Sequence, residues 1–376
     1  MAHRPASRCH RVLVVALLAL AVAAVLSAAP AEAQAIIKVS DTVNIRFGLL
    51  LQPQAEWIEY ANPAGTDTVG YQQNLFIRRV RILVGGQVAR NVFFFAETEN
   101  SNLGMSTSTT TGNKSLATGF EILDAVAEWR IAKPFNLQVG LIRVPTSREA
   151  LKASGSQVPL DFSAWTFLQS TPTQSTAGRD TGFMARGYFF GDRLEYRVAG
   201  LEGFRQSGSR NSLRATSRLQ YNFFDTEVYN MPSYTSNFLG TKKILAVGAA
   251  ADLQGDYSSY SADAFWAIPV SSGSVEGTAG FQWIDGGKFL ATLPKQQTSQ
   301  LELLYYTKKL SIAPWVRWEQ RNYSSASLVD ESRYSLGLSW LIYKTNFMVK
   351  TAYTLIDPKK GPSLNQFGVM LHLFYF

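Results

Sequence analysis

Apolar and polar residues alternate along most of the chain. In 42–57 the odd positions are Val43, Ile45, Phe47, Leu49, Leu51, Pro53, Ala55 and Trp57, and the even ones are mostly polar, with Arg46, Gln52, Gln54 and Glu56 among them. Successive side chains on a strand point to opposite faces, so this pattern predicts a strand between two different environments. The pattern recurs. Leu194, Tyr196 and Val198 oppose Arg193, Glu195 and Arg197, and Leu213, Ala215, Leu219 and Tyr221 oppose Arg214, Thr216, Arg218 and Gln220. Tyr334, Leu336, Leu338, Trp340 and Ile342 oppose Arg333, Ser335, Gly337 and Ser339, and Phe347, Val349, Thr351, Tyr353 and Leu355 oppose Asn346, Lys350 and Thr354. The segments are about 10–13 residues long, where soluble strands average about 5–6. Their apolar faces tend to end in Tyr or Trp, as an aromatic girdle at a lipid headgroup layer would.

Lipid admits strands only as a closed barrel, because an open sheet edge would leave N–H and C=O groups unpaired in hydrocarbon. The expected fold class is therefore all-β: a transmembrane antiparallel β-barrel of about sixteen strands. Short connections fall near 131–134, 190–192, 270–273, 307–309 and 343–345, and longer polar ones at 62–73, 100–119, 143–180, 205–211, 286–298, 322–331 and 357–364. Short turns on one side and long loops on the other fit a barrel of the bacterial outer membrane. The 143–180 segment, the third long loop, is expected to fold inward and narrow the channel. The 223–241 connection breaks the scheme, being long where a short turn is expected.

Residues 1–33 read as a secretory signal peptide: Arg4, Arg8 and Arg11, then an apolar run over 12–26, then Ala31-Glu32-Ala33 as a cleavage site. The barrel domain would then be 34–376. Removing the leader takes away three Arg and one Glu, so the net charge falls from +8 to +6. It also takes away Cys9, His3 and His10, leaving His372 as the one histidine and no cysteine. A thiol nucleophile, a disulfide and a His/Cys metal site are excluded for such a mature chain; no cofactor is expected, and no nucleic-acid partner. The charged share, 17%, is low for a soluble domain. The last residue, Phe376, with Phe374 before it, resembles the C-terminal signal read by barrel-assembly machinery, though imperfectly. His372 and Gly368 share the Phe376 face, a mismatch that a β-bulge would explain.

Ordered segments resemble one known family. The stretch NLFIRRVRILVGGQVARNVFFFAETE at 74–99 resembles the opening hairpin of the phosphate-selective porin O/P family, an arginine-rich strand followed by an aromatic one. The segments at 124–129 and 137–149 (LQVGLIRVPTSRE), 178–186 (GRDTGFMAR) and 191–196 (GDRLEY) resemble the next parts of that family in order. Arg143 stands where the family has Lys, and Thr146 where it has Phe. The resemblance implies an outer-membrane porin and a homotrimer.

A bare Arg facing lipid at the midplane of a barrel costs roughly 2–4 kcal/mol, so pleat parity sends the charged residues to the lumen. In 74–84 it puts Arg79 and Arg81 inward and Phe76, Val80, Ile82 and Val84 outward. Arg46, Arg130, Arg186, Arg197, Arg214, Arg218, Arg317 and Lys350 also go inward, as do Asp124, Glu128, Glu195, Asp263, Glu302 and Glu319. The loop adds Arg143, Arg148, Lys152 and Arg179. Rings of basic side chains favour anions in pores. The expected pore-lining, anion-binding set is therefore Arg79, Arg81, Arg143, Arg148, Lys152, Arg179, Arg186, Arg214 and Arg218. The simpler alternative is that these residues pair with carboxylates across the wall. The expected function is a water-filled, anion-favouring diffusion channel for small anions such as phosphate, embedded in outer-membrane lipid. Rival readings are a weakly selective porin, a channel for a polar organic solute, a barrel enzyme, or a structural or adhesin barrel.

Overall fold

The computed structural model describes residues 36–61, 69–106, 114, 118–206, 212–228 and 233–376. The leader expected at 1–33 lies outside them. A short strand, β1 (Ile36–Lys38), pairs along the start of β2 (Asn44–Ala61). Then come β3 (Val69–Ala89), β4 (Val92–Leu103), β5 (Glu121–Ala132), β6 (Phe135–Arg143), β7 (Arg179–Phe189), β8 (Leu194–Leu201) and β9 (Arg214–Asn222). The second half holds β10 (Ile244–Gln254), β11 (Tyr257–Val270), β12 (Gly273–Asp285), β13 (Gln296–Thr307), β14 (Ile312–Tyr323), β15 (Glu331–Tyr343), β16 (Phe347–Pro358) and β17 (Leu364–Tyr375). Each strand from β2 to β17 pairs antiparallel with its chain neighbours, and β17 pairs back onto β2. The result is a closed barrel of sixteen strands, the architecture that strict alternation in lipid demands.

Parity sorts the two faces as expected. On β15, Leu336 is 58% exposed on the outer face and Ser335 only 8% on the inner, where its hydroxyl meets Thr354 Oγ1 at 2.8 Å. Aromatic residues gather near both rims of the outer face. Tyr71, Tyr260 and Tyr334 lie toward the long-loop end, and Trp129 and Trp340 toward the turn end. Tyr260 stacks on Trp283 with ring centroids 5.7 Å apart.

Two expectations are corrected. Phe76 faces inward and is buried, not outward. Gln52 pairs with Arg79 and Pro53 with Ile77, so Arg78 is an extra residue in β3. This β-bulge switches parity, so Asn74 and Phe76 point inward on one side of it and Arg79, Arg81 and Leu83 on the other. The last strand needs no bulge: β17 keeps one register against β16 from Ile356↔Leu364 to Phe347↔Leu373. Phe374 and Phe376 pack against Leu50, Leu83 and Phe95 on the inner side, and Phe95 meets Phe376 edge-on at 5.6 Å.

The connections differ from expectation at one strand. The turn between β10 and β11 is only Gly255-Asp256 on the long-loop side, while 223–243 is long on the turn side. The two exceptions flank the same strand, β10.

The face assignment gives a direct test. Leu336→Arg should place a charge in hydrocarbon and lower barrel stability by about 2–4 kcal/mol, whereas Ser335→Arg should fold normally. Urea unfolding in lipid vesicles, followed by tryptophan emission, measures both. Equal destabilisation would mean that the faces of β15 are reversed.

Candidate channel lumen

The inner face is polar and densely paired. β3 supplies Arg79 and Arg81, β4 Glu97 and Glu99, β5 Asp124 and Glu128, and β7 Arg179 and Arg186. Alternation places most of these on the wall, Arg179 reaching it from the first position of β7. Opposite charges meet between adjoining strands, as from β3 to β4, or across one strand, as from β5 to β7. Arg81 reaches Glu97 at 2.9 Å and Glu99 at 2.7 Å. Arg143, the last residue of β6, lies 3.5 Å from Glu97 and 3.6 Å from Asp124, and Arg179 lies 2.9 Å from Asp124.

Residues 144–178 hydrogen-bond to inner-face side chains around much of the wall. The segment holds a single helical turn, α1 (Arg148–Leu151), capped by the Ser147 hydroxyl, which accepts from Ala150 N. Its backbone carbonyls take wall donors in sequence. Ser261 Oγ donates to Thr146 O at 2.6 Å, Lys350 Nζ to Gln157 O, and Ser339 Oγ to Val158 O at 2.6 Å. Arg317 donates to Asp161 O at 2.8 Å and to Phe162 O at 3.1 Å. In return, Ala164 N donates to Glu319 Oε1 at 2.7 Å. A relay of side chains adds a further tie. Arg79 Nη1 donates to Gln52 Oε1 at 2.9 Å, Gln52 Nε2 to His372 Nδ1 at 2.8 Å, and His372 Nε2 to Gly155 O at 3.2 Å. Such pairing is what a buried stretch of irregular backbone requires.

The 223–243 connection meets this segment from the turn side. Ala153 N donates to Tyr234 O at 2.9 Å and Tyr234 N to Leu151 O at 2.8 Å, a short parallel bridge. Glu227 holds the Arg148 guanidinium at 2.8 and 2.7 Å. The Tyr234 ring lies beneath three guanidiniums, Arg197 at 4.7 Å, Arg148 at 4.9 Å and Arg218 at 5.7 Å, and its hydroxyl donates to Glu195 at 2.7 Å. Burial and the Glu195 charge push that hydroxyl well above the usual phenol range, so it remains a donor.

All nine sequence-predicted basic residues are buried on this inner side, and each is held by a carboxylate. Arg79 pairs with Asp161 at 2.6 Å, Lys152 with Glu149 at 2.7 Å and Arg186 with Glu128 at 2.8 Å. Arg214 pairs with Asp252 and Arg218 with Asp263, both at 2.7 Å. Arg79, Arg81, Arg143 and Arg179 lie near one another along β3–β7, whereas Arg148 and Arg218 converge on Tyr234. At the 144–178 segment, burial alone would raise the Asp161 carboxyl, but Arg78 and Arg79 outweigh it and hold it well below the ordinary carboxylate range. Its stabilising contribution is therefore complete above that range and is lost only as pH falls through the lowered value.

Parity reasoning missed Arg78, which the bulge turns toward Asp161 at 2.7 Å. It also missed Glu227 and Tyr234, whose connection has no period, and the stack of Arg321 and Arg333 on Trp165 at 5.3 and 5.5 Å. A signal existed only for the first: three arginines within 78–81 cannot all share one face of a regular strand.

A sixteen-stranded barrel with an apolar outer band, aromatic rims and a charged inner face is an outer-membrane channel of the porin class. Residues 54–282 match the family described as phosphate-selective porin O and P, and the chain belongs to that family. No curated protein matches its sequence at a significant level. Among solved structures, the fold is similar to an anion-selective porin from Comamonas acidovorans, with a TM-score of 0.60 at 12% identity over 89% of this chain and 100% of that one. It is also similar to the trimer form of OmpT from Vibrio cholerae, with a TM-score of 0.55 at 8% identity over 89% and 100%. The outer membrane channel DcaP of Acinetobacter baumannii gives 0.54 at 10% identity over 90% and 99%.

The paired wall makes a quantitative expectation. Asp124→Asn strips Arg179 of its nearest counter-charge and should cost about 3 kcal/mol, as breaking a buried pair does. Adding Arg179→Gln should recover part of that loss, because the stranded charge is removed as well. Urea midpoints of the two variants measure the coupling, and strictly additive losses would mean that the pair is not coupled in the folded barrel.

Proposed function

We propose that the chain is an exported diffusion channel that favours small anions, with 1–33 as its removed leader and 144–178 folded into the lumen as its constriction. Hydrogen bonds from β3, β11, β14, β15, β16 and β17 to that segment support the inward fold. The 223–243 connection narrows the same level from the turn side. Solutes pass by diffusion and brief contact with guanidinium groups, whose planar forks suit phosphate and carboxylate oxygens.

The anion preference is carried by one observation. The space beside 160–167, toward the long-loop ends of β14–β17, is faced by Arg78, Arg79, Arg317 and Arg333 against Glu56, Asp161 and Glu319. The other eight predicted residues, deeper in the wall, contribute less than their number suggests, because each is cancelled at short range by its carboxylate. Arg78 and Arg333 are paired too, with Asp161 at 2.7 Å and Glu331 at 2.6 Å, but they keep 25% and 27% of their side chains exposed, so they are the cations of this set that an entering anion reaches. The anion-selective relative with the same fold supports this reading, and phosphate is one candidate solute. His372, bonded on both nitrogens to wall and segment, serves packing, which favours a channel over an enzyme. The OmpT trimer form supports a homotrimer, with the apolar outer face meeting neighbouring copies and lipid. In this reading the C-terminal Phe376 is presented to the assembly machinery before it packs against Phe95.

The zero-current potential across a tenfold potassium chloride gradient tests the proposal. The wild-type channel should give the sign set by chloride passage. Arg78→Gln with Arg333→Gln should lower the chloride-to-potassium permeability ratio roughly two- to fivefold, a modest change because salt screens exposed charges. A cation-signed potential in the wild type, or an unchanged ratio in the variant, would overturn the anion reading.

A further inference from the structure

The same space has a second property that charge alone does not explain. Its volume is about 390 Å³, within the range of small-molecule sites. Between its arginines lie aromatic faces. Arg79 sits 5.5 Å over the Phe162 ring, Arg317 sits 5.5 Å over Trp315, and Phe167 meets Phe162 edge-on at 5.8 Å. Trp315 lies over Gly337, where any side chain would collide with the indole. The indole N–H of this buried residue has no acceptor among the described residues, and neither does Gln54 Oε1 have a donor. Both residues line the space.

The carboxylates there are already engaged. Asp161 is taken by Arg78 and Arg79, Glu56 accepts from Gln366 Nε2 at 2.8 Å, and Glu319 accepts from Ala164 N. The guanidiniums are paired as well, Arg78 and Arg79 with Asp161 and Arg333 with Glu331 at 2.6 Å, but those of Arg78 and Arg333 stay partly exposed, and beside them lie one unpaired N–H and flat apolar surface. Inorganic phosphate would set polar oxygens against Phe76, Phe162 and Leu160, whereas acetate would leave the ring faces in water.

We propose that this space is a binding subsite for a small organic anion carrying a planar ring, an aryl carboxylate being the simplest chemistry that fits. The carboxylate lies against Arg333, Arg78 and the Trp315 N–H, and the ring packs on Phe162 and the Trp315 face. Cation–π attraction already holds the two arginine–aromatic pairs in register for such a ligand. The inference rests on the anion-channel reading and deepens it by naming a solute class.

The test uses the full-length protein in planar bilayers, with sodium benzoate, acetate or phosphate added on the long-loop side as blockers of the chloride current. Benzoate should reach half-block at about one-tenth of the acetate concentration. Trp315→Phe keeps a ring but removes the N–H, and Arg333→Gln removes a charge; each should bring benzoate to within about threefold of acetate. Heat-resistant mobility on denaturing gels verifies the folded barrel, and Arg333→Gln carries the test if Trp315→Phe does not fold. Equal block by benzoate and acetate, stronger block by phosphate than by benzoate, or an unchanged ratio in both variants would overturn the proposal. The sign of the zero-current potential judges the anion-channel reading separately, because it is measured in chloride alone.

Discussion

Everything in this molecule follows from the need to pair every backbone N–H and C=O that leaves water. On the outside, hydrocarbon offers no partner, so the sheet must close, and β17 meets β2 to finish a ring of sixteen strands. On the inside, the same need governs 144–178. Irregular backbone set against the wall needs donors for its carbonyls, and the wall supplies them from five strands through Ser261, Arg317, Ser339, Lys350 and His372. Those residues are therefore fixed by the segment they hold. Lys350 is an instructive case. Its ammonium faces carbonyl oxygens of Gln157 and Pro159, so this inward cation spends its charge on the loop.

The charged inner face obeys a related balance. A guanidinium screened from water by neighbouring side chains needs a carboxylate nearby, or desolvation dominates. Antiparallel neighbours make this easy, since inward residues on adjoining strands lie side by side. Arg81 beside Glu97 and Arg317 beside Glu302 are products of that geometry. The consequence is a wall rich in basic residues whose field largely cancels within each pair. In the proposed channel, selectivity then rests on paired cations that stay partly exposed, Arg78 and Arg333 beside 160–167.

How much of this was readable beforehand depends on whether a residue sat in a periodic segment. Ser335 and Leu336 were assigned correctly because β15 alternates without interruption across them. Phe76 was assigned to the wrong face because the bulge at Arg78 resets parity, and alternation counted across an insertion gives the opposite answer on one side of it. Arg79, Arg81, Arg186, Arg214 and Arg218 are expected inward from the cost of a charge in lipid, and Arg143, Arg148, Lys152 and Arg179 from their place in the loop; all nine side chains are buried. Their pairing was not readable, because which carboxylate meets which arginine depends on register, and register depends on turns and bulges. Tyr234 and Glu227 left no trace at all. Their connection has no hydrophobic period, and its role rests on contacts with Arg148 and Ala153, some eighty residues earlier in the chain.

The exceptional strand β10 ties these points together. It has a two-residue turn on the side where loops are long and a long connection on the side where turns are short. A long loop over β10 and β11 would crowd 144–178, whose Thr146 carbonyl and Arg148 amide are bound by Ser261 and Asp263 of β11. Shortening that loop leaves the space to one segment. Lengthening the opposite connection lets Glu227 and Tyr234 rise to meet Arg148 and Leu151 from beneath. The 144–178 segment is thus held from the turn side as well as from the wall. That matters physically because a short helical turn of four residues has little stability of its own. Held only by side chains around its rim, it would fluctuate. It is tied instead at Arg148 by a buried carboxylate, and at Leu151 and Ala153 by backbone bonds to Tyr234.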